Sequence, residues 1–287
     1  MFEITGHTQL ICLLGSPVAH SIAPMMHNEA FRLLNLPYAY LAFDVKPEEL
    51  RTAVDGLKAL GAKGFNLTMP HKNAMARMAD QLSPAASLCG AVNTIVLKDG
   101  VLTGHTTDGA GYMRAASEAG YPLPGKVMTL LGAGGAATSI LVQAALDGVK
   151  EIRVFNRKGR NYEKAEALIE KLNQKTGCKV TIHDLKDEEA LGESILTSQV
   201  LTNGTNVGMA PHEEECIIRD FSVFHKDLVV SDAIYNPRET KLMRLARDCG
   251  CPAFNGLYML LYQGAESFRL WTGCEMPVDE IRKKYFA

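Results

Sequence analysis

The residues best spaced for chemistry are Gly132-Ala133-Gly134-Gly135-Ala136-Ala137. An almost wholly apolar run, 127–131, leads into them, as in a strand buried on both faces of a parallel sheet. Gly132 and Gly134 allow positive φ and a close approach of backbone to ligand, and Ala137 stands where a third glycine often lets the helix pack on the strand. Residues 138–146 read as a helix. Its free N–H groups and positive dipole end suit an anion such as a pyrophosphate. A second strand at 152–155 completes a β-α-β unit. Gly-rich turns also close ordinary strand-to-helix corners, but a turn in this context favours dinucleotide binding.

The end of the second strand bears on which dinucleotide. An NAD site usually places a carboxylate there to hold the ribose 2′-hydroxyl, whereas this chain has Asn156-Arg157-Lys158-Gly159-Arg160. Three cations can pair with a 2′-phosphate, and arginine can do so through two parallel hydrogen bonds. The ordinary alternative is a solvated basic loop. At this strand end the cluster predicts NADP as cofactor, with NAD as the second choice.

Three polar sites interrupt the apolar pattern of the first half. Asn66 and Thr68 fall on one face of a strand, with Lys72 just beyond; Asn93 follows Gly90-Ala-Val; Asp108 closes Thr106-Thr107-Asp108-Gly109. Taken singly, each has an ordinary structural role: an edge-strand polar position, a bond to loop backbone, a solvated cation, a helix N-cap.

The elements that must carry these residues alternate along the chain. Strands at 9–15, 38–45 and 64–69 are separated by helices at about 25–34 and 47–60, the second with an apolar stripe of Leu50, Val54, Leu57 and Leu60, and a helix over 71–82 follows. Residues 83–90 read as a loop, and Asp99-Gly100 between apolar runs reads as a hairpin turn. A helix starts at Asp108, and the Pro- and Gly-rich stretch before 127 marks the domain crossing, between about 105 and 126. Beyond Arg157, helices at 161–175, 187–197 and 239–248 alternate with strands at 179–184, 199–201 and 227–234; 254–256 is a link and 257–271 a long apolar helix. The pattern predicts an α/β chain of two domains, one with a mostly parallel sheet and one doubly wound Rossmann sheet.

With 287 residues, the chain is long enough for two cores. A net charge of -2 offers no general attraction to nucleic acid or anionic membrane. Seven scattered cysteines, an odd number without C-x-x-C spacing, suit a reducing compartment. Phe2-Glu-Ile-Thr has no signal-segment pattern, so the expected location is the cytoplasm. His20, His27, His71 and His105 lack helical spacing with a carboxylate, and no metal site is expected.

Together the motifs resemble the shikimate dehydrogenase and quinate/shikimate dehydrogenase family over essentially the whole chain. The resemblance rests on Ser16-Pro-Val-Ala-His-Ser21, Asn66-Leu-Thr68-Met-Pro-His-Lys72, Gly90-Ala-Val-Asn93-Thr, Thr107-Asp108-Gly109, Gly132-Ala-Gly-Gly-Ala, Asn156-Arg157, Asn203-Gly-Thr205 and Gly256-Leu-Tyr-Met-Leu-Leu-Tyr-Gln263-Gly-Ala, all in family order. It implies a substrate-binding catalytic domain of residues 1–106 completed by C-terminal helices in 255–287, and an NAD(P)-binding domain of 107–254. It further implies Lys72 and Asp108 as the catalytic pair, and Ser21, Asn66, Thr68, Lys72, Asn93, Asp108, Tyr235 and Gln263 as contacts to a polyol carboxylate. Cofactor contacts implied are Gly132, Ala133, Gly134, Gly135, Ala136, Asn156, Arg157, Lys158, Arg160, Thr205, Val207, Met209, Gly256 and Met259. The implied reaction interconverts 3-dehydroshikimate and shikimate, with quinate and 3-dehydroquinate as a second pair; a homodimer is compatible with it. Rival readings are an NAD-preferring quinate dehydrogenase, a methylene-tetrahydrofolate-type dehydrogenase, or a nucleotide-binding regulator without turnover.

One position departs from the family. A second hydroxyl residue usually stands two positions after the first in the His-Ser-x-Ser-Pro turn, where it helps hold the substrate carboxylate; here that position is Ala23. A hydrogen bond to a charged acceptor contributes roughly 1.5–3 kcal/mol, equivalent to about ten- to a hundredfold in affinity. Ala23→Ser is therefore expected to lower KM for a carboxylated polyol in steady-state assays, and an unchanged KM would show that this position does not meet the carboxylate.

Overall fold

The computed structural model describes residues 3–286; expectations that rest on Met1, Phe2 and Ala287, including the reading of the chain start and the outermost residues of the first domain, lie outside the described residues. Two compact units form: residues up to Thr107 together with those from Leu261, and Asp108–Leu260.

The first unit is built on β1 (Gln9–Gly15), β2 (Tyr38–Asp44), β3 (Gly64–Leu67), β4 (Gln81–Leu82), β5 (Thr94–Lys98) and β6 (Val101–His105), in the sheet order β2-β1-β3-β5-β6-β4. The pairs β2/β1, β1/β3 and β4/β6 are parallel; β3/β5 and β5/β6 are antiparallel. The hairpin turn expected from Asp-Gly closes β5 onto β6, with Asp99 at φ 52° and Gly100 at φ 79°. Helices α1 (Ala23–Leu33), α2 (Leu50–Ala59), α3 (Lys72–Ala76) and α4 (Pro84–Cys89) punctuate the strands. Leu50, Val54 and Leu57 of α2 bury their stripe against Cys12, Leu14, Phe65 and Leu67.

Three readings of this unit change. The helix expected over 71–82 stops at Ala76, and β4 follows instead of a further turn. There Asp80 exchanges backbone and side chain for β6: its N–H donates to the Leu102 carbonyl at 2.9 Å and its carboxylate accepts the Leu102 N–H at 2.8 Å. Tertiary pairing overrides the local helical pattern. Residues 83–90, read as a loop, form α4: the Ser83 hydroxyl caps it by accepting the Ala86 N–H, Pro84 sits in its first turn, and Gly90 ends it at φ 61°. Leu60, assigned to the buried stripe, lies past the end of α2 and is 76% exposed.

The second unit holds β7 (Val127–Leu131), β8 (Glu151–Asn156), β9 (Lys179–Asp184), β10 (Val200–Asn203), β11 (Val229–Asp232) and β12 (Ala253–Phe254). All five pairings are parallel, in the order β12-β11-β10-β7-β8-β9. This is the doubly wound arrangement, with its switch point between β7 and β10. Residues 254–256, expected to be only a link, contribute Phe254 to the edge strand β12. Helix α5 (Asp108–Glu118) precedes β7, and the crossover helices are α6 (Gly135–Leu146), α7 (Arg160–Lys175), α8 (Glu188–Leu196) and α9 (Lys241–Asp248). The chain ends in α10 (Leu257–Thr272) and α11 (Val278–Tyr285), which belong to the first unit from Leu261 onward. No helix among the described residues is long and apolar enough to cross a membrane.

The core of the first unit contains a buried histidine. His27 of α1 stacks on Tyr40 at 4.5 Å between ring centroids and meets Trp271 edge-on at 5.4 Å, while neither of its ring nitrogens has a hydrogen-bond partner. Burial without a partner pushes its pKa down to about 3. The folded form thus refuses a proton that the unfolded chain accepts below about pH 6.5, so this residue's contribution is present above that pH and is lost as pH falls toward 3. Between pH 7 and pH 5 the loss should reach about 2 kcal/mol. His27→Phe is expected to flatten the acid-side decline of this unit's unfolding free energy by that amount, whatever its packing cost at pH 7. Parallel pH profiles for the two proteins would contradict the burial argument.

Candidate functional site

In the first unit the predicted polar residues converge on a buried hydrogen-bonded network. Asn66, on β3, is 7% exposed and Asn93, just before β5, is 3% exposed. Two backbone groups fix the direction of their amides. Asn66 Nδ2 donates to the Asn93 carbonyl at 2.9 Å, and Asn93 Oδ1 accepts the Thr107 N–H at 2.9 Å. Neither amide can be turned over without setting donor against donor or acceptor against acceptor. Asn66 Nδ2 also reaches Thr94 Oγ1 at 3.0 Å and Ser267 Oγ at 3.3 Å, while its Oδ1 accepts the Tyr40 hydroxyl at 2.7 Å. Asn93 Nδ2 donates to Thr107 Oγ1 at 3.0 Å and to Gln263 Oε1 at 3.4 Å.

The structure therefore brings together Asn66, Asn93 and Gln263. Ser21 and Thr68 lie half-buried in the same unit, and neither side chain joins this network among the described residues. The Ser21 hydroxyl accepts the Ala23 N–H at 3.3 Å, so it is engaged with the start of α1. Thr68 follows the last residue of β3, its N–H donating to the Leu14 carbonyl at 3.0 Å. Lys72 opens α3, half-buried, and its carbonyl accepts the Val92 N–H at 3.1 Å. Beside it His71 is buried with Nε2 against the Val45 carbonyl at 2.8 Å, a packing role. Sequence reasoning did not include Tyr40, Thr94, Thr107 and Ser267, all fully or nearly buried polar side chains. A signal for Ser267 was present: it follows Gln263 by four residues on the same helix, and so shares its face.

In the second unit the Gly-rich turn takes a positive φ at Gly132 but not at Gly134, whose φ is -80°. Gly132 has φ 102°, and a Cβ there would stand 2.8 Å from Thr205 Cγ2, so both the conformation and the space demand glycine. Ala137 packs against Gly204, where an added Cβ would lie 2.7 Å from its own. Around Gly134 and Gly135 the space is open, and no side chain caps α6. The first turn of this twelve-residue helix thus presents uncapped N–H groups beside Ala133 at the carboxyl end of β7. These features fit a dinucleotide pyrophosphate.

Loops at the ends of the neighbouring strands are tied to this turn. Asn203 Oδ1 accepts the Thr205 N–H at 3.0 Å and its hydroxyl at 2.7 Å, and Asn203 Nδ2 donates to the Val207 carbonyl at 3.2 Å. Asn203 also bonds Asp232, at the end of β11, at 3.1 Å. Burial raises the Asp232 pKa to about 6, against opposing hydrogen bonds from the Ile234 N–H, Thr240 and Asn203. Met209 and Tyr235, in loops after β10 and β11, are exposed; Met259 is buried on α10; Gly256 packs so closely on Ala233 that no side chain would fit.

At the end of β8 the three cations are exposed, and neither Arg157 nor Arg160 makes an ion pair among the described residues. Asn156 Nδ2 donates to the Arg157 carbonyl at 2.8 Å. Lys158 lies over the Tyr162 ring, 3.7 Å from its centroid. Arg157 and Val207 share the lining of one groove of about 950 Å³ with Leu185, Lys186, Ile195 and Lys241. Of the predicted substrate contacts, Asp108, the first residue of α5, and Tyr235 belong to this unit rather than the first. Among the described residues, no three His, Cys, Asp or Glu side chains cluster as a metal site requires.

Known proteins match over the same ground. A family model described as the shikimate dehydrogenase substrate binding domain matches residues 13–95, and one described as the shikimate 5′-dehydrogenase C-terminal domain matches 256–284. The shikimate dehydrogenase (NADP(+)) of Listeria monocytogenes serotype 4b is 52% identical over 284 residues, 99% of this chain and 98% of its own length. That of Streptococcus uberis is 50% identical over 287 residues, 99% and 97% of the two chains. A crystal structure of shikimate 5-dehydrogenase from Listeria monocytogenes in complex with shikimate and NAD superposes with a TM-score of 0.95 at 52% identity, covering 98% of this chain and 97% of that one. Arg157→Ala is expected to raise KM for NADP at least tenfold while changing KM for NAD less than twofold, since a charge-assisted pair with phosphate contributes about 1.5–3 kcal/mol; equal losses for both would refute phosphate pairing. Identity at this level along the full length shows that the chain belongs to the shikimate dehydrogenase family.

Proposed function

We propose that this protein is an NADP-preferring oxidoreductase that interconverts 3-dehydroshikimate and shikimate, with quinate and 3-dehydroquinate as a second pair. The observation that carries the reading is the likeness, along 99% of the chain, to shikimate dehydrogenases named for NADP(+). The unit of residues up to Thr107 and from Leu261 binds the polyol, and that of Asp108–Leu260 binds the nucleotide. When bound, NADPH would supply the hydride for the ketone carbon. Negative charge then develops on the ketone oxygen, and a cation or proton donor must meet it.

Lys72 has that role and Asp108 is the carboxylate of the catalytic pair. In the reducing direction the ketone carbon gains hydride and its oxygen gains a proton from Lys72. Asn66, Asn93 and Gln263, with Ser21, Thr68 and Tyr235, meet the ring hydroxyls and carboxylate, which need donors and acceptors together. The turn at Gly132–Gly135 holds the pyrophosphate, and Asn156, Arg157, Lys158 and Arg160 hold the 2′-phosphate. Thr205, Val207, Met209, Gly256 and Met259 border the rest of the dinucleotide. The same reading takes the cytoplasm as the working compartment and a soluble small molecule as partner, without nucleic acid or membrane; a homodimer is compatible with it.

Shikimate and quinate differ by a ring double bond against an added hydroxyl, and a pocket that merely tolerates a hydroxyl discriminates weakly. Steady-state assays of both polyols against NADP and NAD test the assignment, with shikimate and NADP expected to give the highest kcat/KM. Lys72→Ala should lower kcat by about 10²–10⁴-fold, the usual contribution of a proton-transfer group. Retention of kcat within tenfold would remove Lys72 from the chemistry.

A further inference from the structure

Hydrogen-bond capacity in the buried network assigns a direction to each amide that a substrate would meet. Asn66 offers two N–H donors. One is taken by the Asn93 carbonyl at 2.9 Å and the other is shared between Thr94 Oγ1 at 3.0 Å and Ser267 Oγ at 3.3 Å. Its Oδ1 has two lone pairs and accepts once, from the Tyr40 hydroxyl at 2.7 Å. The remaining capacity of Asn66 is therefore that of an acceptor, which suits a hydroxyl hydrogen and not a carbonyl or carboxylate oxygen.

Ser267 is the common partner that keeps this arrangement. It is 0% exposed on α10, and its hydroxyl donates to the Gln263 carbonyl one turn back at 3.0 Å. Its oxygen lies 2.7 Å from Thr94 Oγ1 and 3.2 Å from Thr107 Oγ1. With its single hydrogen directed at the Gln263 carbonyl, Ser267 can act toward Asn66, Thr94 and Thr107 only as an acceptor. Thr94 and Thr107 each have one hydroxyl hydrogen, which lies between Ser267 Oγ and Asn93 Oδ1, the latter at 3.1 Å and 3.2 Å. One hydroxyl thus touches Asn66 directly, reaches Asn93 through two threonines, and bonds the backbone of Gln263.

We propose that Ser267 is a positioning residue for the polyol: it holds Asn66 as an acceptor, and Asn93 and Gln263 in register with it, without touching substrate itself. This rests on the reading above that Asn66, Asn93 and Gln263 meet the substrate. Loss of the hydroxyl would leave Asn66 Nδ2 with Thr94 alone for its second hydrogen, and Thr94 and Thr107 with Asn93 Oδ1 as their shared acceptor, and so let the amides settle in other arrangements.

The test is steady-state kinetics of wild type, Ser267→Ala, Ser267→Thr, Asn66→Ala and the Ser267→Ala/Asn66→Ala double variant. Wild type must first turn over shikimate with NADP; absence of turnover overturns the functional reading, and the positioning role with it. Given turnover, Ser267→Ala should raise KM for shikimate about five- to tenfold, the effect of one lost hydrogen bond, with KM for NADP within twofold. Ser267→Thr, which restores the hydroxyl, should recover most of the loss, and in the Asn66→Ala background Ser267→Ala should add less than threefold. The proposal is overturned if Ser267→Ala lowers the melting temperature with KM for shikimate unchanged, if it weakens shikimate and NADP equally, or if its effect is undiminished without the Asn66 side chain. Should Ser267→Ala not fold, Ser267→Thr with the KM of wild type sustains the proposal, and a folded Ser267→Thr whose KM for shikimate resembles that of Asn66→Ala overturns it.

Discussion

The buried bond from the Asn66 amide to the Asn93 carbonyl is the constraint on which the first unit's site depends. A side-chain amide has a donor end and an acceptor end of nearly equal shape, so packing alone does not choose between its two orientations. Here backbone groups choose, because a carbonyl can only accept and an N–H can only donate. With the Asn66 and Asn93 amides fixed by those backbone groups, the hydroxyls of Tyr40, Thr94, Thr107 and Ser267 bond around them. Such a network carries a high cost if half-satisfied, since each unpaired buried polar group loses its hydration without return. Full satisfaction makes it rigid, and rigidity is what a site for a small polyol needs.

The second unit meets a different demand. A dinucleotide is long and anionic, and its recognition relies on backbone N–H groups, helix ends and exposed cations rather than a closed network. A Cβ on Gly132 would collide with Thr205 in the loop after β10, and one on Gly204 with Ala137 in the first turn of α6, so their lack of side chains lets that loop approach the turn after β7. Asn203 then ties that loop to Asp232 on the next strand. The result is a cradle whose shape comes from glycine placement and one buried asparagine, while the charge comes separately from Arg157, Lys158 and Arg160.

Sequence reading recovered the parts governed by short-range rules. The Gly-rich turn, the hairpin at Asp99-Gly100 and the strands at Gln9–Gly15 and Lys179–Asp184 follow from period, turn chemistry and glycine conformations, all local. It failed over 71–82 because Asp80 and Gln81 pair with β6, about twenty residues away, and no local pattern carries that information. Over 83–90 the failure was of weighting: Ser83, Pro84 and Gly90 are cap, first-turn and stop residues of a short helix, outweighed by a composition of small residues. Of the network residues, Asn66 and Asn93 stand out in the sequence as polar interruptions of the apolar pattern, and Gln263 enters through the family likeness. Ser267 and Tyr40 do neither, because a single serine or tyrosine in an apolar element reads as ordinary core until its partners are known.

The account's central claim is that the first unit presents a preset acceptor at Asn66 to a ring hydroxyl of shikimate. A high-resolution crystal structure of this protein with shikimate and NADP bound tests it most directly. The account predicts a ring hydroxyl within hydrogen-bond distance of Asn66 Oδ1, with Asn66 Nδ2 still on the Asn93 carbonyl. Shikimate bound away from Asn66, or an Asn66 amide turned so that Nδ2 meets the ligand, would contradict it.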